Sequence, residues 1–524
     1  MRSKVIKNLV PALVSILLAA LFAALYSLST SPLLDGYWGE DSAFFILVGQ
    51  GMTKGLLPYR DFFDMKGPYL YFIQFIGQKI CYGRIGAYIV QTVNFSVCFF
   101  LMGKISDLFS VKRVWLHRFI CYIFTMLIMA VTIQDGNLTE EYSLPAILIC
   151  LFFCLKYFKE AEEKKVYKHP LYVSLINGAA VGFISLIKLT NAATIGAILV
   201  TVYLFMLAKK EIRNALLNLC SLMAGFFTAF SIPCIYFYSK HLLREMLYQV
   251  FFFSFAYSAE VRFTDKFINI FTQFRYFTLF LILPVVICFI YREKWYIRLL
   301  SILSALMILL AVTMGNAYLH YFTLLVPHII LGLSIAFRNS RGRLKFIRNA
   351  AAVICCVLVL SFNYKQISSS CLEGATLTVA SQVYASTNGG ETSARAKKFL
   401  SIPYVAQHTY KVEWEQPQYE IAALIPDSEK RSVFCFGDKS WARWYGQTQT
   451  LPANRYMHCQ AHYIRLFPGI EDELASWINN DGPVWVITPV DGTTPSQKVT
   501  DAITANYEHV FENRKFHVFH RISQ

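Results

Sequence analysis

The chain has 524 residues, of which 56% are hydrophobic and 16% aromatic, while only 16% are charged. A soluble domain usually has about a quarter of its residues charged, so this composition excludes an ordinary soluble protein. The net charge of +16 does not indicate a nucleic-acid partner, because the chain after residue 363 carries 15 basic and 16 acidic side chains. The positive excess belongs to the apolar part, as is typical of a polytopic α-helical membrane protein.

Uncharged apolar stretches recur along the first two thirds of the chain and stop after Leu360. Each is long enough to cross a hydrocarbon core of about 30 Å, and none contains Asp or Glu. They predict about eleven membrane spans, near residues 8–30, 85–103, 117–133, 142–157, 171–189, 192–208, 215–237, 275–291, 297–314, 318–337 and 349–363.

Lys and Arg residues are concentrated in alternate short loops between these spans. Such loops face the cytoplasm, so the pattern predicts a multi-pass protein of the cell membrane. With an odd number of spans, the region after the last span lies outside the cytoplasm. The loop after the first span and the loop after the third span are expected on the same outer side.

The first loop, Ser31–Arg84, is too long for a simple turn between two spans. Two stretches in it, Ser42–Thr53 and Pro68–Lys79, have apolar and aromatic residues at helical spacing. We expect them to form short amphipathic helices at the outer membrane surface, with aromatic side chains at headgroup level.

The end of the chain predicts a separate domain. Residues 364–400 are polar and rich in turn-forming residues, so we expect them to link a transmembrane domain, 1–363, to a tail domain, 401–524. Strand-like segments of the tail domain alternate with helix-like ones, which predicts an extracytoplasmic α/β domain. The strand-like segments are 431–438, 482–490 and 515–522, and the helix-like segments are 415–426, 469–480 and 495–507. The tail sequence contains no phosphate-binding glycine loop, zinc-ligand spacing or hydrolase motif.

Acidic side chains gather in the loops that are expected outside. The first loop contains Glu40, Asp41 and Asp64, and the second loop, around TIQDGNLTEEYSLP, contains Glu140 and Glu141. Adjacent carboxylates between aromatic residues at a membrane surface repel each other, and such a site suits a general base or a metal ligand. A solvated loop is the plain alternative for each acid taken alone.

Basic side chains of the expected outer loops form a second candidate group. Arg60 and Lys66 lie in the first loop, Lys188 lies at the end of the predicted fifth span, and Arg262 and Lys266 lie in the loop after the seventh span. At a membrane surface such residues contact anionic lipid headgroups, and the functional alternative is a clamp for a substrate phosphate.

The first loop resembles that of the polyprenyl-phosphate-dependent glycosyltransferases of the C-type membrane fold. This group includes glycosyltransferase family 39 and its relatives, the protein mannosyltransferases and the lipid A aminoarabinose transferases. The resemblance rests on Asp41 after the first span, a helical stretch up to Gly51, and GLLPYRDFFDMKGP with Lys66-Gly67-Pro68 before a membrane re-entry helix.

The resemblance extends through NLTEEYSLP in the second loop, HYFTLLVP at the predicted tenth span and the order of eleven spans before an outer domain. It covers most of the membrane part and fades in the tail domain. Relatives often have Lys-Pro-Pro after an acid where this chain has Asp64-Met65-Lys66-Gly67-Pro68, and this departure leaves the role of Asp64 open.

The resemblance implies an inverting glycosyltransferase. It would move a sugar from a polyprenyl-phosphate carrier to a glycan, lipid or protein acceptor on the outer face of the cell membrane. Lys66 and Arg60, with Arg262 or Lys266, would hold the donor phosphate. Asp41, with Glu40 as the alternative, would take the proton from the acceptor hydroxyl as it attacks the anomeric carbon.

Acceptor and metal binding follow less closely from the resemblance. Glu140, Glu141 and Asp64 would position the acceptor, or one of the two glutamates would hold a divalent cation together with Asp41. No ligand set in the sequence identifies a metal. The expected partners are the lipid-linked sugar, the acceptor and the membrane lipids.

Two other classes of protein stay open on the residues alone. A lipid or sugar transporter or flippase would also need many spans and an outer anion site. Ion-coupled carriers, however, usually place ionisable residues near the bilayer centre, and these spans lack Asp and Glu. A non-catalytic scaffold or receptor would explain the tail domain but would leave the charged first loop without a role.

Overall fold

The fold is largely helical, with a small sheet near the C-terminus. The computed structural model describes residues 2–34, 39–110, 114–315, 317–338, 345–372, 416–438, 441–457, 460–467 and 469–522. Most of the predicted linker, 373–400, and the first residues of the predicted tail domain, 401–415, lie outside the described residues.

Among the described residues, sixteen α-helices precede the predicted linker. They are α1 (Arg2–Tyr26), α2 (Asp41–Thr53), α3 (Pro68–Ile80), α4 (Arg84–Phe109), α5 (Val114–Thr132), α6 (Thr139–Lys164), α7 (Leu171–Ser185), α8 (Ala193–Ala208), α9 (Ile212–Ser239), α10 (Leu243–Leu247), α11 (Ser254–Ala259), α12 (Phe263–Gln273), α13 (Leu279–Ile290), α14 (Trp295–Met314), α15 (Leu325–Ala336) and α16 (Lys345–Phe362). Short 3₁₀ segments precede α8 (Leu189–Ala192) and α15 (Leu319–Leu324), and a π-helical segment, Tyr248–Phe253, joins α10 to α11.

The prediction of a polytopic helical membrane protein is confirmed. Among the described residues, eight helices are long and apolar enough to cross a membrane, and a bent pair makes a ninth candidate. The eight are α1, α4, α5, α6, α9, α14, and α8 and α15 with their 3₁₀ segments. The shorter apolar helices α7 and α13 coincide with the predicted spans near 171–189 and 275–291.

The bent pair lies where the sequence predicts the last span and the start of the linker. Its two arms, Phe346–Phe362 and Tyr364–Leu372, meet at an angle of 65°. At the bend, the Asn363 side-chain amide donates to the Tyr276 carbonyl oxygen (3.0 Å) and to the Val359 carbonyl oxygen (2.9 Å). The first nine residues of the predicted linker are therefore helical. Asn363 anchors the bend before them to the segment that precedes α13.

Two helices, α2 and α3, lie between the first two spans, as the first loop predicts. The α3 helix begins at Pro68, whose fixed φ angle and missing N–H suit the first helical position. The α2 helix differs from the expected amphipathic surface helix, because every residue from Ser42 to Gly51 is buried. It packs against α3 on one side and a short helix of the tail domain, Ala442–Thr448, on another.

The tail domain has a four-stranded sheet in the order β1-β2-β4-β3. Its strands are β1 (Val433–Cys435), β2 (Trp485–Pro489), β3 (Tyr507–Glu512) and β4 (Phe516–Arg521), and its helices include Gln416–Leu424, Ala442–Thr448, Ala461–Leu466, Gly469–Asp481 and Gln497–Asn506. The β1 and β2 strands are parallel, while β4 is antiparallel to both β2 and β3. The predicted α/β character is confirmed, but β3 was not predicted, because its residues continue the polar pattern of the preceding helix.

The tail domain packs directly against the first loop. Phe63 is buried, and its ring lies 5.0 Å from that of Phe253, 5.3 Å from that of Tyr456 and 5.8 Å from that of Tyr463, measured between centroids. The backbone N–H of Phe63 also donates to the carbonyl oxygen of Arg455 (2.9 Å). One aromatic side chain therefore joins the first loop, the π-helical segment and the tail domain.

We predict that Phe63→Ala lowers the stability of the protein by about 3 kcal/mol, because it leaves a cavity in this aromatic cluster. The measurement is the thermal unfolding midpoint of the detergent-purified protein, followed by intrinsic fluorescence. The matched control is Phe263→Ala, which removes an exposed ring at the start of α12. An equal effect of the two substitutions would contradict the role given to Phe63.

Candidate functional site

A cavity of about 1160 Å³ lies between the membrane helices, the first loop and the tail domain. Its wall is formed by the N-terminal end of α2, the turn before α3, the second loop, the segment after α7, the region around α11, the end of α14 and parts of the tail domain. The polar and charged residues of that wall include Glu40, Asp41, Asp64, Lys66, Gln134, Asp135, Lys188, Tyr257, Tyr318, His320, Arg443, Gln460 and His462. This wall therefore carries charged groups of both signs.

Two of the predicted acids begin the α2 helix. Asp41 is the first helical residue and Glu40 is the N-cap, and both are exposed to the cavity. The Nη2 atom of Arg443, from the tail domain, lies 3.7 Å from Oε1 of Glu40. Among the described residues, no side chain is recorded as donating to Asp41. Asp41 lies at the N-terminal end of α2, where the backbone N–H groups carry a partial positive charge.

A further acid of the second loop lies beside this helix start. Gly39 has a φ angle of 67°, and a Cβ atom there would lie 3.5 Å from Cβ of Asp135. Asn137 joins the second loop to the first, because its amide donates to Ser42 Oγ (2.9 Å) and its Oδ1 accepts from Gln74 Nε2 (2.8 Å). Asp135 is thus held close to the start of α2, and its carboxylate belongs to the same cavity wall.

Hydrogen bonds of its backbone groups fix the position of Lys66, the predicted phosphate-binding residue. Its carbonyl oxygen accepts from the Tyr59 hydroxyl (2.8 Å), and its N–H donates to Oδ2 of Asp64 (3.2 Å). The next residue, Gly67, donates from its N–H to the carbonyl oxygen of Ile187 (2.9 Å). A Cβ atom at Gly67 would lie only 2.0 Å from the carbonyl oxygen of Leu186. Glycine is therefore required at this position of Lys66-Gly67-Pro68.

The structure gives Asp64 a clear set of contacts. Its carboxylate accepts hydrogen bonds from the Tyr71 hydroxyl and from the Lys66 backbone, and its own N–H donates to Oε1 of Gln249 (3.1 Å). Burial, together with the negative charge of Asp64, raises the pKa of Tyr71 well above its usual value. Asp64 therefore fixes the turn that carries Lys66, and its carboxylate also reaches the cavity wall.

Glu140 forms an ion pair with Lys188. Only 1% of the Glu140 side chain and 16% of the Lys188 side chain are exposed, and the distance from Nζ to Oε1 is 2.7 Å. The same ammonium group lies 3.4 Å from the centroid of the Tyr321 ring, within the range of a cation–π contact. Lys188 lines the cavity, so this pair supplies a positive charge to its wall, whereas Glu140 lies behind it.

Glu141 is buried and serves the structure at the start of α6. It is fully buried, its Oε2 accepts from Nε2 of Gln91 (2.6 Å), and its Oε1 accepts from the backbone N–H of Leu138 (3.2 Å). The second contact closes a capping box at the start of α6. In the described part of the chain, Glu141 is not among the residues of the cavity wall.

Three of the predicted basic residues lie away from the described cavity wall. Arg60 is exposed and forms a bidentate pair with the neighbouring Asp61, at 3.1 and 2.8 Å. Arg262 is exposed just before α12. Lys266 is buried, and its Nζ donates to the carbonyl oxygens of Ser258 and Met314. Burial lowers its pKa. The structure therefore does not bring these three residues together with Lys66.

Several wall residues were not predicted from the sequence. His320 has its Nδ1 2.8 Å from Oε1 of Gln134 and lines the cavity. Arg443 and His462 come from the tail domain, more than 350 positions after the first loop in the chain. No local sequence pattern marks them, because their proximity to α2 arises only from the docking of the tail domain.

Potential metal ligands lie elsewhere. In the described ranges, one group of three His, Cys, Asp or Glu side chains converges closely enough to hold an ion, and it consists of His509, Glu512 and His517 on the tail sheet. None of the three is in the described cavity wall. The expectation that Glu140 or Glu141 holds a cation with Asp41 is not supported by a convergence of their carboxylates.

Solved structures resemble this chain over nearly its whole length. The crystal structure of ArnT from Cupriavidus metallidurans bound to undecaprenyl phosphate matches with a TM-score of 0.51 and 13% sequence identity, over 99% of this chain and 98% of that chain. The archaeal oligosaccharyltransferase AglB from Archaeoglobus fulgidus, in complex with an inhibitory peptide and a dolichol-phosphate, matches with a TM-score of 0.45 and 10% identity, over 96% of this chain and 74% of that chain. No protein-family model matches the chain, and no curated protein matches it by sequence.

The class of fold is now defined. The chain has the polytopic membrane fold of the C-type glycosyltransferases, with a C-terminal domain after the membrane helices, and the resemblance drawn from the first loop is confirmed at the level of the fold. One solved protein with which it shares this architecture is ArnT from Cupriavidus metallidurans. At 13% identity the match shows the fold and leaves the reaction to be argued from the site.

We predict that Lys188→Met destabilises the protein by about 3 kcal/mol, because it leaves the buried Glu140 carboxylate without its partner. The double variant Lys188→Met/Glu140→Gln should recover most of this loss, since it removes both charges. Thermal unfolding midpoints of the three proteins in one detergent test the expectation. A double variant no more stable than the single one would show that the unpaired Glu140 charge is not the cause of the lost stability.

Proposed function

We propose that this protein is an inverting glycosyltransferase that uses a polyprenyl-phosphate sugar as donor and works at the outer face of the cell membrane. The single observation that carries the proposal is that Asp41 and Lys66 line one cavity. The carboxylate of Asp41, to which no described side chain donates a hydrogen bond, and the ammonium group of Lys66 thus face the same space. Transfer of a sugar from a phosphate requires such a base and such a cation. The shared fold with ArnT supports the proposal without deciding the donor.

The proposed step is a single displacement. The acceptor hydroxyl attacks the anomeric carbon of the sugar as Asp41 takes its proton, and the bond between that carbon and the phosphate oxygen breaks. The electron pair of that bond leaves with the phosphate, whose growing charge Lys66 stabilises, and the nearby Lys188 adds to the positive potential. Attack from the face opposite the phosphate inverts the anomeric carbon. A phosphate leaving group needs no general acid.

The rest of the cavity wall suits a lipid-linked donor. It also includes the apolar side chains Phe251, Phe255, Leu310 and Met314. An isoprenoid chain buried against these residues would gain apolar contacts, while its phosphate would remain near Lys66. One cavity wall thus offers apolar residues for the chain and a charged residue for the phosphate of a polyprenyl phosphate.

The tail domain supplies another part of the wall. Arg443, Gln460, His462 and Tyr463 line the cavity. We assign the acceptor to these residues, because they are polar or aromatic and Arg443 lies beside Glu40 at the start of α2. Since Glu40 is paired with Arg443, we assign the proton transfer to Asp41 and a positioning role to Glu40.

A divalent cation is not required by this step. Glu140 is occupied by Lys188 and Glu141 by the cap of α6, so neither offers a carboxylate to the cavity. The acidic residues of the wall that a cation in the cavity could contact are Glu40, Asp41, Asp64 and Asp135. Activity that persists after treatment with EDTA would agree with a metal-independent transfer.

We predict that Asp41→Asn and Lys66→Met each lower turnover at least about 100-fold, because one removes the base and the other the charge at the leaving phosphate. The assay follows release of polyprenyl phosphate from a panel of synthetic undecaprenyl-phosphate sugars by the purified protein. The matched controls are Asp265→Asn, an exposed acid in the first turn of α12, and Lys54→Met, at the end of α2. Both control variants should retain turnover near that of the wild type.

Two results would contradict the proposal. Full turnover by Asp41→Asn would remove the assigned base. Absence of turnover with every donor, combined with movement of the lipid or sugar across proteoliposomes, would instead identify a transporter.

A further inference from the structure

The β3–β4 hairpin of the tail domain carries three potential metal ligands on its outer face. Oε2 of Glu512 lies 3.1 Å from Nδ1 of His517 and 3.9 Å from Nε2 of His509, and the two ring nitrogens lie 3.3 Å apart. All three side chains are partly exposed, at 45% for His509, 50% for Glu512 and 30% for His517. An ion in solution can therefore reach the point on which they converge.

A β-bulge creates this convergence. Side chains alternate between the two faces of a strand, so residues three apart, such as His509 and Glu512, should point to opposite faces. The register of β3 against β4 shifts between His509 and Phe511, and Val510 is the extra residue. Beyond the shift, Glu512 pairs with His517, which places both on the face that His509 occupies.

The distances between the ligand atoms agree with a tetrahedral ion. With metal–ligand bonds of 2.0–2.1 Å, neighbouring ligand atoms of a tetrahedron lie about 3.3–3.4 Å apart. The three separations of 3.1, 3.3 and 3.9 Å are near this value without any rearrangement of the hairpin. Two imidazoles and one carboxylate suit Zn²⁺, whereas Mg²⁺ and Ca²⁺ prefer oxygen ligands alone.

We propose that His509, Glu512 and His517 form a Zn²⁺ site on the outer face of the tail domain. Three protein ligands leave the fourth tetrahedral position to water or to a donor group from another molecule. The bound ion would also cross-link β3 and β4, because it joins residues of both strands. The site is separate from the cavity of the proposed transfer reaction, and its existence does not depend on that reaction.

The test is metal binding by the purified full-length protein after treatment with a chelator. Zn²⁺ affinity is measured by competition with a chromophoric chelator, and Co²⁺ is added separately to record the strong visible absorption of a tetrahedral site. We expect one tight Zn²⁺ per chain in the wild type. His509→Ala and His517→Ala should each weaken binding more than about 10-fold, because each removes a ligand.

Two further variants make the test specific. Glu512→Gln preserves the shape of the side chain but removes its charge, and it should weaken binding like the histidine variants. His520→Ala changes a histidine of the same strand that packs on Trp485 instead, and it should bind Zn²⁺ like the wild type. Zn²⁺ should raise the unfolding midpoint of the wild type and of His520→Ala and leave that of the three ligand variants unchanged.

The outcome decides the proposal. A wild-type protein without stoichiometric Zn²⁺, or ligand variants that bind as tightly as the wild type, would overturn it. In that case the three side chains form only a polar cluster, in which Nδ1 of His517 lies beside both Glu512 and His509.

Discussion

The close approach of Gly67 to the backbone that follows α7 is the constraint on which the candidate site depends. At this point the first loop lies so near Leu186 that a single added carbon would overlap its carbonyl oxygen, and the Gly67 N–H instead donates to Ile187. This contact brings Lys66, which precedes Gly67, and Lys188, which follows Ile187, to the same cavity. Backbone atoms make these contacts, so neither lysine side chain is used for them; Lys188 pairs with Glu140, and Lys66 lines the cavity.

A second constraint is the docking of the tail domain. Phe63 inserts between the π-helical segment and the tail domain, and Arg443 reaches the carboxylate of Glu40. The two adjacent acids therefore differ in surroundings: Glu40 has a cationic partner from the tail domain, whereas Asp41 begins α2 and faces the cavity. A distant part of the chain thus gives two adjacent acids unequal surroundings, and this difference is why we propose Asp41 and not Glu40 as the base.

Local patterns predicted much of the fold. Long uncharged stretches predicted the membrane helices, and Pro68 and the aromatic spacing after it predicted α3. The burial of α2 was not predictable from local pattern, because α2 is covered by α3 and by the helix of residues 442–448 in the distant tail domain. The β3 strand was missed because it follows a helix directly, and the metal-ligand group on it was missed because a bulge, invisible in the sequence, aligns His509 with Glu512.

The candidate site was predicted in part. Asp41, Glu40, Lys66 and Asp64 were singled out from the first loop, and the structure brings all four to one cavity wall. Charge alone did not distinguish a free basic residue from an occupied one. Arg60 is occupied by the adjacent Asp61, and Lys266 by backbone carbonyl oxygens.

The central claim is that the cavity holding Asp41 and Lys66 receives the phosphate of a lipid carrier. The most direct measurement is photo-crosslinking of the reconstituted protein with an undecaprenyl phosphate analogue that carries a diazirine beside the phosphate, followed by mass spectrometry of the labelled peptides. The account predicts adducts on the segments around Met65–Lys66 and Ser254–Ser258, suppressed by unlabelled undecaprenyl phosphate and weakened in Lys66→Met. Adducts confined to exposed apolar residues, such as the phenylalanines of α12, and unaffected by the competitor would contradict it.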